Sequence, residues 1–164
     1  MQPIYETTPI RTETFKGMRG KIPYTLEVSK ELEDGWVVLT MTGGPLLPLP
    51  RGRAGVTKSG RPFIFQSKET QQFKSLAKKL PGIGSLCDLP DGPLEVDINV
   101  FRKKPKQTKL SAPRGDIDNY AKMALDFLQW AGVLDDDDRV QELTVTKGWA
   151  EWDTCEIRIQ SLSS

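Results

Sequence analysis

Apolar and polar residues alternate strictly over Leu94–Val100, with Leu, Val, Ile and Val at every second position and Glu, Asp and Asn between them. A period of two is typical of a β-strand with one buried face. Segments rich in apolar and β-branched residues predict further strands at Trp36–Thr42, Phe63–Phe65, Leu143–Lys147 and Cys155–Gln160. The stretch 45–60 is rich in Pro, Gly and Arg, and it predicts a loop with a turn near its end.

Two other segments have the spacing of amphipathic helices. Ser67 is a candidate N-cap for the first helix, which we expect to run to about Leu80 and to end at Pro81 and Gly82. Its apolar stripe consists of Phe73, Leu76, Ala77 and Leu80. The second helix ends at Gly132, a residue suited to the left-handed conformation that follows many helices. Its apolar face consists of Ala121, Ala124, Leu125, Leu128 and Ala131.

The resulting order of elements, β-α-β-α-β-β, predicts a single α/β or α+β domain with a mixed sheet and two main helices. A chain of 164 residues is long enough for one domain with a substantial core. Residues 1–35 give weaker signals, namely a short strand at Thr25–Val28 and a turn in the SKELEDG segment that ends at Gly35.

Composition narrows the class of protein. With 37% hydrophobic and 27% charged residues, the chain has the balance of a soluble globular domain. No apolar run approaches the ~18 residues that a membrane-spanning helix needs. The absence of histidine excludes Ser-His and Cys-His nucleophilic catalysis and any His-ligated zinc. Cys87 and Cys155 match no metal-binding spacing, so we expect free thiols in a reducing compartment.

The net charge of +1 conceals a strong segregation of charge along the chain. Arg51–Arg61 contains four basic residues and Phe101–Arg114 contains six, and neither segment contains an acidic residue. Asp135–Glu142 is mainly acidic. Basic segments around an acidic site are what a phosphodiester-cleaving enzyme requires, because the cations hold the polyanion while metal-loaded carboxylates act on it.

The strongest chemical signal lies between Arg114 and Val140. Asp116 and Asp118 stand at the start of the second helix, and four consecutive aspartates, Asp135–Asp138, follow its end. Carboxylates gathered at one place repel each other, and a bound divalent cation is a common remedy. Oxygen ligands without imidazole or thiolate suit Mg²⁺ or Mn²⁺.

Each of these acidic features also has a plain structural interpretation. Asp118 could be the N-cap of the helix, with Lys122 one turn later as an incidental ion-pair partner. Lys122 could equally pair with Asp126, although a lysine N-terminal to an acid is the poorer orientation against the helix dipole. The aspartate run could be a solvated turn. Helix capping alone does not explain the presence of Asp116 beside Asp118, because one carboxylate is enough to cap a helix.

The order of these residues resembles the signature of the RusA family of Holliday junction resolvases, D-x-D-N-x-x-K followed by D-D-x-x-V. The matching positions are Asp116-Ile117-Asp118-Asn119, Lys122, Leu125-Asp126-x-Leu128 and Asp136-Asp137-x-x-Val140. Pro48-x-Pro50-Arg51-Gly52-Arg53 is similar to the family's N-terminal P-x-P-x-G-R stretch. Gly115 departs from the family's usual proline, which predicts a looser approach to Asp116. Ala54-Gly55 stands where the family often has Pro-Arg.

The resemblance covers roughly residues 36–160, and it implies a RusA-like domain over residues 36–164 with an N-terminal extension of unassigned role at 1–35. It implies metal ligation by Asp116, Asp118 and Asp137, with Asp136 as a further candidate, and a catalytic role for Lys122. The spacing to Val140 selects Asp136-Asp137 and leaves Asp135 and Asp138 as spectators. The implied cofactor is Mg²⁺, for which Mn²⁺ can substitute. The residues expected to contact DNA are Arg51, Arg53, Lys58, Arg61, Lys103, Lys104, Lys106, Arg114, Asn119 and Lys147.

The resemblance further implies a homodimer that binds a four-way DNA junction and nicks two strands symmetrically during recombination and repair. Its expected location is a bacterial cytoplasm, away from the membrane, with a bacterial or a phage gene as its source. Two alternatives stay open from the sequence. One is a metal-dependent nuclease for other branched nucleic acids, such as flaps, or for RNA. The other is a non-catalytic protein that binds junctions.

Overall fold

A mixed six-stranded sheet forms the frame of the protein, with strands in the order β1-β2-β3-β8-β6-β7. The computed structural model describes residues 11–19, 22–43, 53–79 and 89–162. The strands of this sheet are β1 (Arg11–Arg19), β2 (Ile22–Glu33), β3 (Trp36–Gly43), β6 (Leu94–Lys103), β7 (Val140–Ala150) and β8 (Thr154–Ser161). A separate hairpin consists of β4 (Arg53–Val56) and β5 (Pro62–Phe65). The helices are α1 (Lys68–Lys78) and α2 (Ile117–Trp130).

The N-terminal part of the sheet is an antiparallel meander. β1 pairs with β2 from Arg11 opposite Lys30 to Arg19 opposite Ile22, and β2 pairs in turn with β3. Asp34 and Gly35 connect β2 to β3 with φ angles of 47° and 82°, which is the two-residue hairpin turn that Asp-Gly favours. The predicted turn in this segment is therefore confirmed, but the strand before it is longer than Thr25–Val28.

Residues 94–150 fold as a βαβ unit. β6 and β7 are parallel neighbours, and α2 lies between them in the chain and packs on both. β8 then pairs antiparallel with β6 and with β3, which joins this unit to the N-terminal meander. Because the two strands of a parallel pair end at the same edge of a sheet, the loop after β6 and the last residues of β7 lie close together.

The core lies between the sheet and the two helices. On β6, the side chains of Leu94, Val96, Ile98 and Val100 are fully buried, and those of Glu95, Asp97 and Asn99 are half-buried. This confirms the alternation read from the sequence. Phe73 of α1 packs against Phe127 of α2 with ring centroids 5.7 Å apart. The protein is a single α+β domain, as the sequence predicts.

The ends of α1 agree with the sequence where they are described. The Ser67 hydroxyl accepts a hydrogen bond from the backbone N–H of Thr70 at 3.2 Å, as an N-cap should. Phe73 and Ala77 are buried, whereas Leu76 is half-buried. Leu80 and the predicted stop at Pro81 and Gly82 lie outside the described residues.

The hairpin β4–β5 corrects the prediction of a continuous loop over 45–60. Gly55 and Phe63 are opposite each other, and a Cβ atom at Gly55 would lie 2.7 Å from the Phe63 ring. The turn near Ser59 is present as predicted, with the backbone N–H of Gly60 donating to the carbonyl of Thr57 at 2.9 Å. The strand was missed because Gly55, a residue typical of loops, lies in the middle of it.

The described ranges contain no helix that is long and apolar enough to cross a membrane. Cys155 is buried and free, and burial raises the pKa of its thiol to about 12. Cys87 lies outside the described ranges.

Candidate active site

The start of α2 carries the first acidic pair. Asp116 is the N-cap residue and Asp118 lies in the first helical turn, so Asp118 is not the N-cap. The carbonyl of Asp116 accepts hydrogen bonds from the N–H groups of Asn119 and Tyr120, while its side chain makes no capping bond. Instead, the Asp118 carboxylate accepts the N–H of Asn119 at 3.0 Å. Because the Asp116 carboxylate is exposed and not used as a cap, it can serve another ligand.

Lys147, on β7, ties down the segment that leads into Asp116. Its ammonium group donates to the carbonyl of Pro113 at 3.1 Å and to that of Gly115 at 2.6 Å. Gly115 has a φ of 104°, a conformation that proline cannot adopt and other L-residues rarely do. The glycine thus allows a backbone path that Lys147 holds at two points, in contrast to the looser approach expected from the sequence. The expected DNA contact of Lys147 stays a prediction.

A second group of hydrogen bonds holds the other side of the same segment. The Tyr120 hydroxyl donates to the carbonyl of Arg114 at 2.7 Å, and Arg102 donates to that hydroxyl at 3.4 Å. Asp153 accepts from the Arg102 side chain at 3.2 Å and from the backbone N–H of Lys103 at 2.7 Å. Tyr120 and Asp153 were not singled out in the sequence, because the motif gives no sign of these tertiary contacts.

One face of α2 carries three charged residues at four-residue intervals, namely Asp118, Lys122 and Asp126. Lys122 forms an ion pair with Asp126 on this face. Of the two partners left open by the sequence, the structure therefore selects Asp126, which was not among the predicted site residues. The pair leaves 42% of the Lys122 side chain exposed, so the ammonium group can still reach a ligand.

The aspartate run forms a short 3-10 turn, Asp137–Arg139, capped by the Asp136 carboxylate, which accepts the N–H of Asp138 at 3.2 Å. Arg139 pairs with Asp135 at 2.8 Å and donates to the carbonyls of Pro90 and Gly92. The hydrogen bond to Arg139 lowers the pKa of Asp135 below its ordinary value. Asp135 thus anchors the turn through its ion pair with Arg139. The sequence did not predict this structural contact for Asp135.

Asp137 differs from its neighbours in its electrostatic surroundings. Partial desolvation, a hydrogen bond with the Asp136 carboxyl and the negative charges of Asp136 and Asp126 raise the pKa of Asp137 above its ordinary value. The charge of Asp126, on the charged face of α2, is therefore felt at Asp137 in the turn. A nearby cation would reverse the shift, because it favours the ionised carboxylate.

The donor set suits a hard divalent cation, since Asp116, Asp118 and Asp137 offer only carboxylate oxygens. Within the ranges 11–19, 22–43, 53–79 and 89–162, however, no three acidic or thiol groups lie close enough together to hold a metal ion. Asp118 and Asp126 are separated by two helical turns, about 12 Å along the axis, and the charge of Asp126 acts on Asp137. The chemistry of the residues fits Mg²⁺, and binding requires their side chains to converge.

The predicted DNA-contacting residues fall on two structural units. Lys58 and Arg61 are exposed at the turn of the β4–β5 hairpin, and Lys103, Lys104, Lys106 and Arg114 are exposed along the loop between β6 and α2. Arg53 begins β4, Arg51 lies outside the described residues, and Asn119 is half-buried in the first turn of α2. No described residue forms an ion pair with the lysines of the loop, so their charges are available to a polyanion.

Comparison with protein families agrees with this arrangement. The model of the RusA endodeoxyribonucleases matches residues 45–160 of the 164-residue chain. The chain therefore belongs to the RusA family, whose members are hydrolases that cut DNA and act on branched junctions. The match includes both helices and every predicted site residue, and it begins after β3. No curated protein matches the chain.

Proposed function

We propose that this protein is a Mg²⁺-dependent endonuclease that resolves four-way DNA junctions by paired symmetric nicks, acting as a homodimer in recombination and repair. The observation that carries the proposal is the closeness of the basic loop to the start of α2. Arg114 and Asp116 are separated only by Gly115, whose carbonyl is held by Lys147. A phosphate held by the loop would lie directly beside the acidic helix start. We further propose a bacterial or phage protein acting in the cytoplasm.

Each acidic residue has a specific role in this proposal. Asp116, Asp118 and Asp137 would hold Mg²⁺ once their side chains converge, and Asp136 is an additional candidate ligand. When bound, Mg²⁺ would screen charge at the phosphate and lower the pKa of a water molecule. Mn²⁺ can substitute for Mg²⁺. Lys147 and Tyr120 contribute by fixing the backbone that leads into Asp116.

Lys122 contributes positive charge where negative charge develops on the phosphate oxygens. Asp126 holds the Lys122 side chain along the helix face, which reduces the number of conformations the long side chain must lose when DNA binds.

The decisive experiment compares cleavage of linear duplex, flap, three-way and four-way DNA in the presence and absence of Mg²⁺. We expect metal-dependent nicks at symmetric positions in two opposing strands of the four-way substrate, with the other shapes cut more slowly. Asp116→Asn should abolish the nicks while the protein still binds the junction. Asp138→Asn is the matched control, because Asp138 is exposed and lies one position beyond the proposed ligand.

Two results would replace the proposal with a different function. Preferred cleavage of flaps or of RNA would indicate a nuclease for another branched substrate. Tight junction binding without cleavage in Mg²⁺ or Mn²⁺, by wild-type protein and Asp116→Asn alike, would indicate a binding protein. A cross-linked species of twice the chain mass on junction DNA would support the dimer.

A further inference from the structure

A cavity lies within the loop between β6 and α2, apart from the carboxylates. Its volume is about 240 Å³, which is smaller than the ~300–1,000 Å³ typical of pockets for drug-sized ligands. A cavity of this size suits one small planar group. Its lining consists of Arg102, Lys103, Pro105, Thr108, Leu110, Pro113, Arg114 and Trp149.

The lining combines an aromatic ring with basic groups. Trp149 lies on β7 opposite Arg102, and its indole N–H donates to the carbonyl of Leu110 at 2.9 Å. This hydrogen bond fixes the ring relative to the loop. Lys103 and Arg114 are exposed, and neither forms an ion pair with a described residue. Arg102 is different, because Asp153 already neutralises its guanidinium group.

We infer that this cavity binds one unpaired nucleobase of the DNA strand, with Trp149 as the stacking surface and with Lys103 and Arg114 on the flanking phosphates. An aromatic ring among cations is the arrangement by which proteins bind single-stranded nucleic acid, because every base has a face that can stack and every linkage carries a charge. The inference rests on the proposed function, and it adds a site for a part of the substrate that carboxylates cannot hold.

The position of the cavity relates it to the site of cleavage. Arg114 lines the cavity and is two residues from Asp116, so a nucleotide in the cavity would lie close along the strand to a phosphate at the acidic helix start. Extracting a base from a paired duplex costs a few kcal/mol, and the cost is least where the base is not fully paired. We expect such bases at a branch point more often than in uninterrupted duplex. The cavity would thereby favour branched DNA.

The test compares the binding of a short fluorescent oligothymidylate with that of an abasic oligonucleotide of the same length, at low salt. The two probes carry the same phosphates, so attraction to basic residues cancels and only base capture differs. We expect the full-length protein to bind the oligothymidylate about tenfold more tightly, as the stacking of one base implies. Trp149→Leu should lose this preference. Trp152→Leu is the matched control, because Trp152 is 59% exposed, lies three residues away and does not line the cavity.

Trp149→Phe separates stacking from a structural role. It removes the hydrogen bond to Leu110 but keeps an aromatic ring, so it should retain most of the base preference. Equal or absent binding of the two probes by the wild-type protein would overturn the inference. A preference that persists in Trp149→Leu would also overturn it, because the base would then bind elsewhere. Neither result depends on cleavage, whereas failure of the proposed function would appear as intact four-way junctions in Mg²⁺.

Discussion

The acidic face of α2 and the basic loop before it present their charges in different ways. The acidic residues stand on regular elements, a helix and a 3-10 turn, whose own hydrogen bonds fix their backbone. The loop has little regular structure between Lys103 and Asp116. It is held instead through its carbonyl groups, by donors from Lys147, Trp149 and Tyr120. Because its backbone is anchored by other elements, the lysine side chains of the loop stay free for a ligand.

From this comparison, we expect substitutions on the acidic face to lower the cleavage rate and substitutions in the basic loop to lower the affinity for DNA. The largest effect is expected for Asp116→Asn. We expect a loss of cleavage rate of about a thousandfold or more, since losing a metal ligand forfeits several kcal/mol of transition-state stabilisation. Junction affinity should be unchanged or higher, because a negative charge near phosphate is removed. Single-turnover cleavage and gel-shift titrations measure the two quantities. Near-normal cleavage by Asp116→Asn would contradict its role as a ligand.

The next effect is expected for Lys122→Ala, which tests whether the helix face carries a catalytic cation. Removing one group that stabilises developing charge costs about a hundredfold in rate. Affinity should change little, because the target is charge that arises in the transition state. If the dissociation constant rises strongly while the single-turnover rate is preserved, Lys122 belongs with the DNA-binding cations instead.

A smaller effect is expected for Lys147→Met, which keeps the length of the side chain and removes its two hydrogen bonds. We expect roughly a tenfold lower cleavage rate, because a small displacement of Asp116 reduces the alignment of reacting groups. Lys78→Met, an exposed lysine of α1, is the control and should behave as the wild type. Rescue of the rate by Lys147→Arg, together with unchanged affinity in Lys147→Met, would support positioning. A loss of affinity that matches the loss of rate would assign Lys147 to phosphate binding.

The smallest effect is expected for a single loop cation. Lys104→Gln should weaken binding to all DNA shapes alike and leave the single-turnover rate unchanged. Each neutralised phosphate contributes about −0.9 to the slope of log affinity against log salt, so two copies in a dimer should flatten that slope by about two units. Arg61→Gln tests the hairpin in the same way. Unchanged slopes in both variants would place the DNA on another surface.

The sequence predicted those parts of the protein whose signals are local. The alternation of β6 and the Ser67 cap are local patterns, and both are confirmed. On α2, Ala121 and Leu128 are buried as predicted, but the buried face is wider and includes Tyr120, Met123 and Phe127. The predicted apolar face was too narrow because only some of the apolar positions were included. The buried face is wider because α2 contacts both α1 and the sheet.

Other parts of the site depend on contacts that no local pattern reveals. The pairing of Lys122 with Asp126 had to be chosen between two equally spaced partners, and helix orientation alone disfavoured the observed one. The hydrogen bonds from Lys147 to Pro113 and Gly115 join residues that are more than thirty positions apart. Gly115 itself appeared to be a loss of rigidity, because its φ angle is not visible in the sequence.

The Lys147 clamp has a consequence for the order of folding. Its two carbonyl partners precede α2, and the lysine lies on β7, so the hydrogen bonds can form only after the crossover has closed and β7 has paired with β6. Parallel pairing of this kind is intrinsically slow, because a long loop must close before its contacts form. We infer that the approach to Asp116 is among the last parts of the chain to be fixed. On this order of folding, a partly folded chain would present the lysines of the loop before the approach to Asp116 is fixed.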